Sequence, residues 1–418
     1  MDKIVINGGT PLKGSVEISG AKNAALPVLF GTILTADRCV IENVPEILDV
    51  DLTLEILEKM GAKVRRVHTT VEIDTTDILP CRSPYELVSK MRGSTYLIGA
   101  ELGRFKKAKV GMTGGCNFGI RPIDQHVKGF EALGATVDAR GGYVEATATA
   151  LTGCEVYFDV VSVGATVNVI LASVFASGTT ILENAAREPH VVDLANFLNA
   201  CGANITGAGT DTIKIKGVEK LHGSNYAIIP DMIEAGTFMF AAAATGGDVT
   251  INNVIPKHLD SISAKLTEMG VYVEELDDAI IVRRDGDMKG INVKTRPYPG
   301  FPTDMQPQMT ALLCFASGDS KVTEGVWENR FRYVEELRKT GANIDIAGKT
   351  AIIHGDAELV GAPMHSVDLR AGAAMVIMGL AIKGRTEILD IHTIERGYDN
   401  IVKKLRSLGA DVRKVQIR

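Results

Sequence analysis

LEILEKMGAKV at residues 54–64 reads as the last turns of an amphipathic helix, a glycine at position 61 and the opening of a strand. The same pattern returns as VKGFEALGATV at 127–137, LANFLNACGANI at 194–205, ISAKLTEMGVYV at 262–273, VEELRKTGANI at 334–344 and VKKLRSLGADV at 402–412. The glycines at 61, 134, 202, 270, 341 and 409 stand 73, 68, 68, 71 and 68 residues apart, a period of about 70. A helix that ends by turning into the left-handed region takes glycine there, because a Cβ would collide with the backbone. A fixed period of this kind marks an array of one structural unit. The chain therefore reads as six copies.

Each copy holds a second, different helix: AKNAALPVLFGTIL (21–34), VSKMRGSTYLIGAEL (88–102), VGATVNVILASVFAS (163–177), EAGTFMFAAAAT (234–245), MQPQMTALLCFAS (305–317) and LRAGAAMVIMGLAI (369–382). These are apolar almost all round and rich in Ala, Gly and Ser, which suits a helix buried on every side at close distance. Strand-like runs follow, among them CVIEN, TTILEN, DVTINN, KVTEG and TEILD. The unit is a buried helix, a strand, an amphipathic helix, a glycine cap and two strands. The expected fold class is α/β (α+β): a two-domain inside-out α/β barrel of six repeated units, three per domain, helices inside and strands and outer helices around them.

Composition narrows the function classes. The 418 residues carry 45 Lys and Arg against 51 Asp and Glu, a net charge of −6, which leaves no footprint for non-specific nucleic-acid binding. The first residues, MDKIVIN, lack the apolar core of a signal peptide. Apolar runs such as 371–382 stop at Lys383, short of the roughly 20 residues that span a bilayer. The six cysteines form no CxxC pair, which favours free thiols in a reducing cytoplasm. There is no GxxxxGK[ST] loop, no GxGxxG between strand and helix and no HExxH, and the eight histidines give no metal cluster. No metal and no cofactor are expected.

The starts of the buried helices carry polar residues that an apolar core does not ask for: Lys22-Asn23, Arg92, Ser162-Val163-Gly164, Asp231, Asp304 and Asp368-Leu369-Arg370. Aspartate there can simply cap the helix. A cation opposes the helix dipole, so Lys22, Arg92 and Arg370 call for a further reason. Counted back from the cap glycines, Arg121, Lys257 and Arg396 share one repeat position, and Arg330 lies two residues from it. With the units of each domain related by rotation, these helix starts gather at one end. Two domains facing by those ends would form an anion-binding cleft for a phosphorylated or carboxylated small molecule. Cys116 sits in the glycine-rich segment GMTGGCNFGIRP (111–122), five residues before Arg121, a setting that favours the thiolate. Acid–base use and nucleophilic attack both stay open for it.

With these residues in view, ISGAKNAALP, TGGCNFGIRPID, SVGAT, ENAAREP, PTDMQPQ, ENRF, DLRAGAA and ERGYDNI together resemble the enolpyruvyl transferase family that acts on UDP-N-acetylglucosamine at the opening of bacterial peptidoglycan synthesis. The resemblance covers essentially the whole chain. It implies one lobe from residues 21–229, carrying the Cys loop, and another from 1–20 with 230–418. It implies transfer of the enolpyruvyl group of phosphoenolpyruvate to the 3′-hydroxyl of UDP-N-acetylglucosamine, with release of phosphate. On matching positions, Lys22, Arg121 and Arg396 would hold the phosphate, with Asn23, Arg92, Arg330 and Arg370 completing the phosphoenolpyruvate site. Cys116 would deliver a proton to the methylene carbon and be alkylated by fosfomycin, and Asp304 would orient or deprotonate the sugar hydroxyl. Asn23, Arg92, Arg121, Pro122, Ile123, Asp124, Ser162, Val163, Gly164, Asp304 and Val326 would bind the nucleotide sugar. The partners implied are these two small molecules alone, with no nucleic acid and no membrane, and a cytoplasmic monomer. Departures are Val160, where some relatives carry a basic residue, His190 in place of an acidic one, and Gly93-Ser94-Thr95-Tyr96 after Arg92.

Three rivals bear on the reading. The 3-phosphoshikimate enolpyruvyl transferase shares fold and donor, but does not need the Cys116 loop and would want cations at SVGAT. The RNA 3′-phosphate cyclase has fewer units and a nucleotidylated histidine. A repeat scaffold would leave Lys22, Arg92 and Arg370 unexplained.

Overall fold

The computed structural model describes residues 2–112 and 123–416. By contacts these divide into one unit of residues 2–19 and 230–416, and another of residues 20–112 and 123–229. Each has its own apolar core.

In the unit of 20–229 the inner helices are Lys22–Gly31, Tyr96–Phe105 and Val163–Ser173. In the unit of 2–19 and 230–416 they are Met232–Thr245, Gln306–Leu313 and Leu369–Ala381. Every residue of Gln306–Leu313 is buried, as the all-round apolar pattern requires. Small residues let these helices approach closely. A Cβ on Gly99 would lie 2.3 Å from the Asn168 carbonyl oxygen, and one on Gly103 would lie 2.5 Å from that of Leu171. The stretch 88–102 is not one helix, as its composition suggests. It comprises the end of a short helix, Tyr85–Val88, a 3₁₀ turn, Arg92–Thr95, and most of the helix Tyr96–Phe105. The Ser94 hydroxyl donates to the carbonyls of Val88 and Met91, and Met91, just before the 3₁₀ turn, is extended. A serine that captures backbone acceptors competes with the helix in this way.

Around each set of inner helices stand three small sheets. One is typical: Asn225–Ala227 runs parallel to Arg38–Glu42, which pairs antiparallel with Thr70–Asp74, and that strand pairs antiparallel with Lys63–Val67 at the edge. The outer helix Leu48–Met60 lies between the second strand and the last two in the chain, and Gly61 ends it. All six repeat glycines hold positive φ, from +111° at Gly61 to +89° at Gly409. The asparagines that end the strand motifs have a common structural role as well. Asn43, Asn184 and Asn253 all sit at φ of +54° or +55°. Their side-chain amides donate to the carbonyls of Ile228, Phe158 and Ile18 at 2.7–2.8 Å, tying each strand end to a neighbouring segment.

The sixth sheet is closed by the other end of the chain. Asp2–Gly8 pairs antiparallel with both Gly384–Leu389 and Asp411–Gln416, with Ile4 opposite Ile388 on one side and Lys414 on the other. It occupies the place held elsewhere by the second hairpin strand. Lys13–Glu17 then runs parallel to Asp248–Asn252. The expected arrangement of three units per domain, helices within and sheets outside, is what the structure has.

Candidate active site

Asp304 lies in the 3₁₀ turn Thr303–Met305, just before Gln306–Leu313. The position suggests a helix cap, but the structure corrects this: the turn's N-cap is Pro302, and the inner helix opens without a side-chain cap. The capping role holds for Asp231, which accepts from the amides of Ile233 and Glu234, and for Asp368, which accepts from those of Arg370 and Ala371. Asp304 instead meets two arginines. Its Oδ2 accepts from Arg370 Nη2 at 2.9 Å and Nε at 3.2 Å, and its Oδ1 lies 3.5 Å from Arg330 Nη2.

Both arginines are only 4% exposed, so the carboxylate offsets two charges taken out of water. Burial works to lower the Arg370 pKa, but Asp304, Tyr398 and Asp231 more than reverse it, and the group stays charged. Its carbon lies 5.7 Å from the Tyr398 ring centre. Tyr398 is itself buried, accepts from Gln308 Nε2 at 3.1 Å and meets the Thr237 hydroxyl at 2.9 Å. Arg370 Nη1 is buried and has no hydrogen-bond partner among the described residues. That leaves a donor aimed at no protein acceptor there, which suits an anionic ligand. Arg396 follows the short helix His392–Glu395 and is half-buried, and Val326 donates its amide to Glu324.

The other unit carries a second set. Lys22 opens the helix Lys22–Gly31 and its Nζ lies 2.6 Å from Asp49 Oδ2, with both side chains buried. Asp49 in the first turn of Leu48–Met60 explains how a cation can sit at a helix start. Asn23 follows, half-buried. Arg92 begins the turn Arg92–Thr95 and acts on His126, whose pKa falls to about 4, first through burial and then through the Arg92 charge. Nδ1 of His126 finds no partner among the described residues. A Cβ added to Gly164 would lie 2.9 Å from His126 Nε2, so the imidazole passes where only glycine leaves room. Ser162 caps Val163–Ser173 by accepting from the Ala165 amide, and half-buried Val163 follows. Ile123 is half-buried, and exposed Asp124 begins the helix Asp124–Ala132. Cys116, Arg121 and Pro122 lie outside the described residues.

Within its own unit, then, the structure joins Asp304 to Arg330 and Arg370, and groups Arg92, His126 and Gly164. Asp49, His126 and Tyr398 were not singled out in the sequence. A signal exists for two of them: Asp49 falls on the stripe of Thr53, Leu57 and Met60, and His126 falls on that of Phe130 and Leu133, where the outer helices turn apolar residues inward. Among the described residues, no helix is long and apolar enough to cross a membrane.

Comparison with known proteins gives the chain a family. The family model for EPSP synthase (3-phosphoshikimate 1-carboxyvinyltransferase) matches residues 6–405. UDP-N-acetylglucosamine 1-carboxyvinyltransferase 2 of Clostridium acetobutylicum is 58% identical over 418 residues, covering 100% of both chains. UDP-N-acetylglucosamine 1-carboxyvinyltransferase 3 of Caldanaerobacter subterraneus subsp. tengcongensis is 57% identical over 416 residues, again 100% of both. Among solved structures, the enolpyruvyl transferase NikO from Streptomyces tendae superposes with a TM-score of 0.90 at 26% identity, covering 100% of this chain and 99% of that one. EPSP synthase from Acinetobacter baumannii, with a TM-score of 0.78 at 20% identity and 100% of both chains covered, shares the fold.

Proposed function

The chain belongs to the EPSP synthase family and, within it, to the UDP-N-acetylglucosamine 1-carboxyvinyltransferases, and on that premise we propose that it transfers the enolpyruvyl group of phosphoenolpyruvate to the 3′-hydroxyl of UDP-N-acetylglucosamine and releases phosphate. The observation that carries this reading is the carboxylate of Asp304 held on two buried arginines, one of which keeps a donor unused by the described protein.

The chemistry has two stages. The sugar hydroxyl oxygen bonds to C2 of the enol while a proton is added to C3, giving a tetrahedral ketal. Loss of phosphate and of one C3 proton then restores the vinyl group. We assign Asp304 to the hydroxyl proton and Cys116 to the C3 proton, since the two steps need a base and an acid on opposite partners. Lys22, Arg121 and Arg396 take the phosphate, and Asn23, Arg92, Arg330 and Arg370 complete the donor site. Fixed cations of this kind stabilise the charge that builds up during addition. Asn23, Arg92, Arg121, Pro122, Ile123, Asp124, Ser162, Val163, Gly164, Asp304 and Val326 take the nucleotide sugar. The lobes are assigned to 21–229 and to 1–20 with 230–418. The enzyme is placed in the cytoplasm as a monomer, working without metal, cofactor, nucleic acid or membrane in cell-wall synthesis, hence in cell shape and division, with Cys116 the target of fosfomycin.

The test is phosphate release from phosphoenolpyruvate with each acceptor. UDP-N-acetylglucosamine supports release and shikimate-3-phosphate does not. The reverse result would make the chain a 3-phosphoshikimate 1-carboxyvinyltransferase, and release with neither would overturn the reading.

A further inference from the structure

Glu324 follows the strand Asp319–Thr323 and is 2% exposed, yet the reaction as assigned gives it no task. Its two oxygens collect four donors from three separate stretches of chain. Oε1 accepts from Thr295 Oγ1 at 2.8 Å, from the Val326 amide at 2.8 Å and from the Trp327 amide at 3.1 Å. Oε2 accepts from Thr303 Oγ1 at 3.0 Å. All four donors are neutral, so this is a carboxylate used as a hub of acceptors. Such a group stays buried only while those bonds are made.

What the hub holds is the frame of the Asp304–Arg330 pair. Thr303 precedes Asp304, and it is pinned at both ends: its hydroxyl donates to Glu324 and its carbonyl accepts from Arg330 Nη2 at 3.4 Å. Val326 and Trp327 begin the turn that leads to Arg330, and Gly325 before them donates its amide to Thr295 Oγ1 at 2.8 Å. The two segments bearing Asp304 and Arg330 are thus held to each other through one side chain.

We propose that Glu324 is a positioning residue for the transfer: through Thr303 and the 326–327 turn it sets where the Asp304 carboxylate meets the acceptor hydroxyl. This rests on the assignment of Asp304 to that hydroxyl. A base displaced by about 1 Å loses on the order of 100-fold in rate. For a change at Thr303 the loss falls on turnover, because the bond removed is that of its hydroxyl to Glu324, while those of the Val326 amide and of Arg330 are kept.

The test compares the intact enzyme with Thr303→Val, Glu324→Ala and Glu324→Gln, measuring phosphate release and thermal midpoint. Thr303→Val keeps the shape and removes one bond. It should lower kcat by about tenfold or more, leave KM for both substrates within about threefold, and hold the midpoint within about 3 °C. Glu324→Ala should lower kcat by about 100-fold. Glu324→Gln should recover most of that, since its carbonyl still serves the three Oε1 donors and its amide can donate to a turned Thr303 hydroxyl. Should Glu324→Ala fail to fold, Thr303→Val decides alone. Folded Thr303→Val with kcat within about twofold of the parent, or a change confined to KM, overturns the positioning role. A Gln variant as slow as the Ala variant also overturns it. Wild-type enzyme inert with phosphoenolpyruvate and UDP-N-acetylglucosamine overturns the functional reading and this inference with it, whereas an active wild type beside an active Thr303→Val overturns the inference alone.

Discussion

Replacing Asp304 by alanine leaves two buried guanidiniums facing each other. The structure sets the size of the effect. Asp304 accepts two charge-assisted bonds from Arg370, at 2.9 and 3.2 Å, and stands 3.5 Å from Arg330. Removing one partner of a fully buried pair costs about 3–5 kcal/mol. Here the Asp304 side chain is 32% exposed, so water reaches the vacated space, and Arg370 keeps its contact with the Tyr398 ring. A loss of about 2 kcal/mol follows, larger than the roughly 1 kcal/mol of a lost helix cap. Asparagine keeps a neutral acceptor for Arg370 and should lose about 1 kcal/mol. Activity should not follow the same order. On the proposed assignment neither variant has a base for the sugar hydroxyl, so both should lose about 10²–10⁴-fold in kcat. Urea unfolding followed by circular dichroism, alongside phosphate release, measures both effects. Alanine within about 0.5 kcal/mol of the wild type would refute the buried pair. Asparagine with turnover within about tenfold of the wild type would refute the base.

Glu101, wholly buried on the helix Tyr96–Phe105, has its pKa pushed up to about 7 by burial, against the pull of the Cys81 and Lys109 amides. The folded chain therefore holds this proton more tightly than the unfolded one, and stability falls as pH rises from the usual value of 4.5 to about 7. Glu101→Gln should remove about 2–3 kcal/mol of that fall between pH 5 and pH 8; a urea midpoint difference equal to the wild type's would count against it. Cys116→Ser should abolish turnover, whereas Cys116→Asp should keep activity and escape fosfomycin; an Asp variant still sensitive to the drug would exclude Cys116 as the alkylation site. Alanine at the cap glycines should cost stability in proportion to the surroundings. Gly409 has open space at φ +89° and should lose about 1–2 kcal/mol, while a Cβ on Gly61 would also meet the Asp77 carbonyl oxygen at 2.9 Å and should cost more. Equal losses at the two positions would show that backbone strain alone decides the cap.

How much of this was legible in the sequence follows from what is local. A cap glycine and an all-round apolar helix each satisfy a demand set by their own few residues, so the six units and their buried helices could be read directly. The whole of 88–102 read as helix because local composition does not reveal which carbonyls Ser94 will capture. The helix starts marked the polar residues worth attention, but not their partners. Asp304 has the spacing of a cap and became the counter-charge of Arg370, 66 positions away. Lys22 looked unsupported until the outer helix brought Asp49 to within 2.6 Å. The pairing of Asp2–Gly8 with strands almost 400 residues later is beyond any periodicity, since the hydrogen bonds of a sheet edge carry no record of which strand will fill it. The amino-acid order alone determined the repeated unit, because helix, strand and cap are settled by backbone sterics and side-chain burial over a few residues. Which charges face one another was decided only by the packed chain, because Coulomb and hydrogen-bond partners are chosen by distance in space.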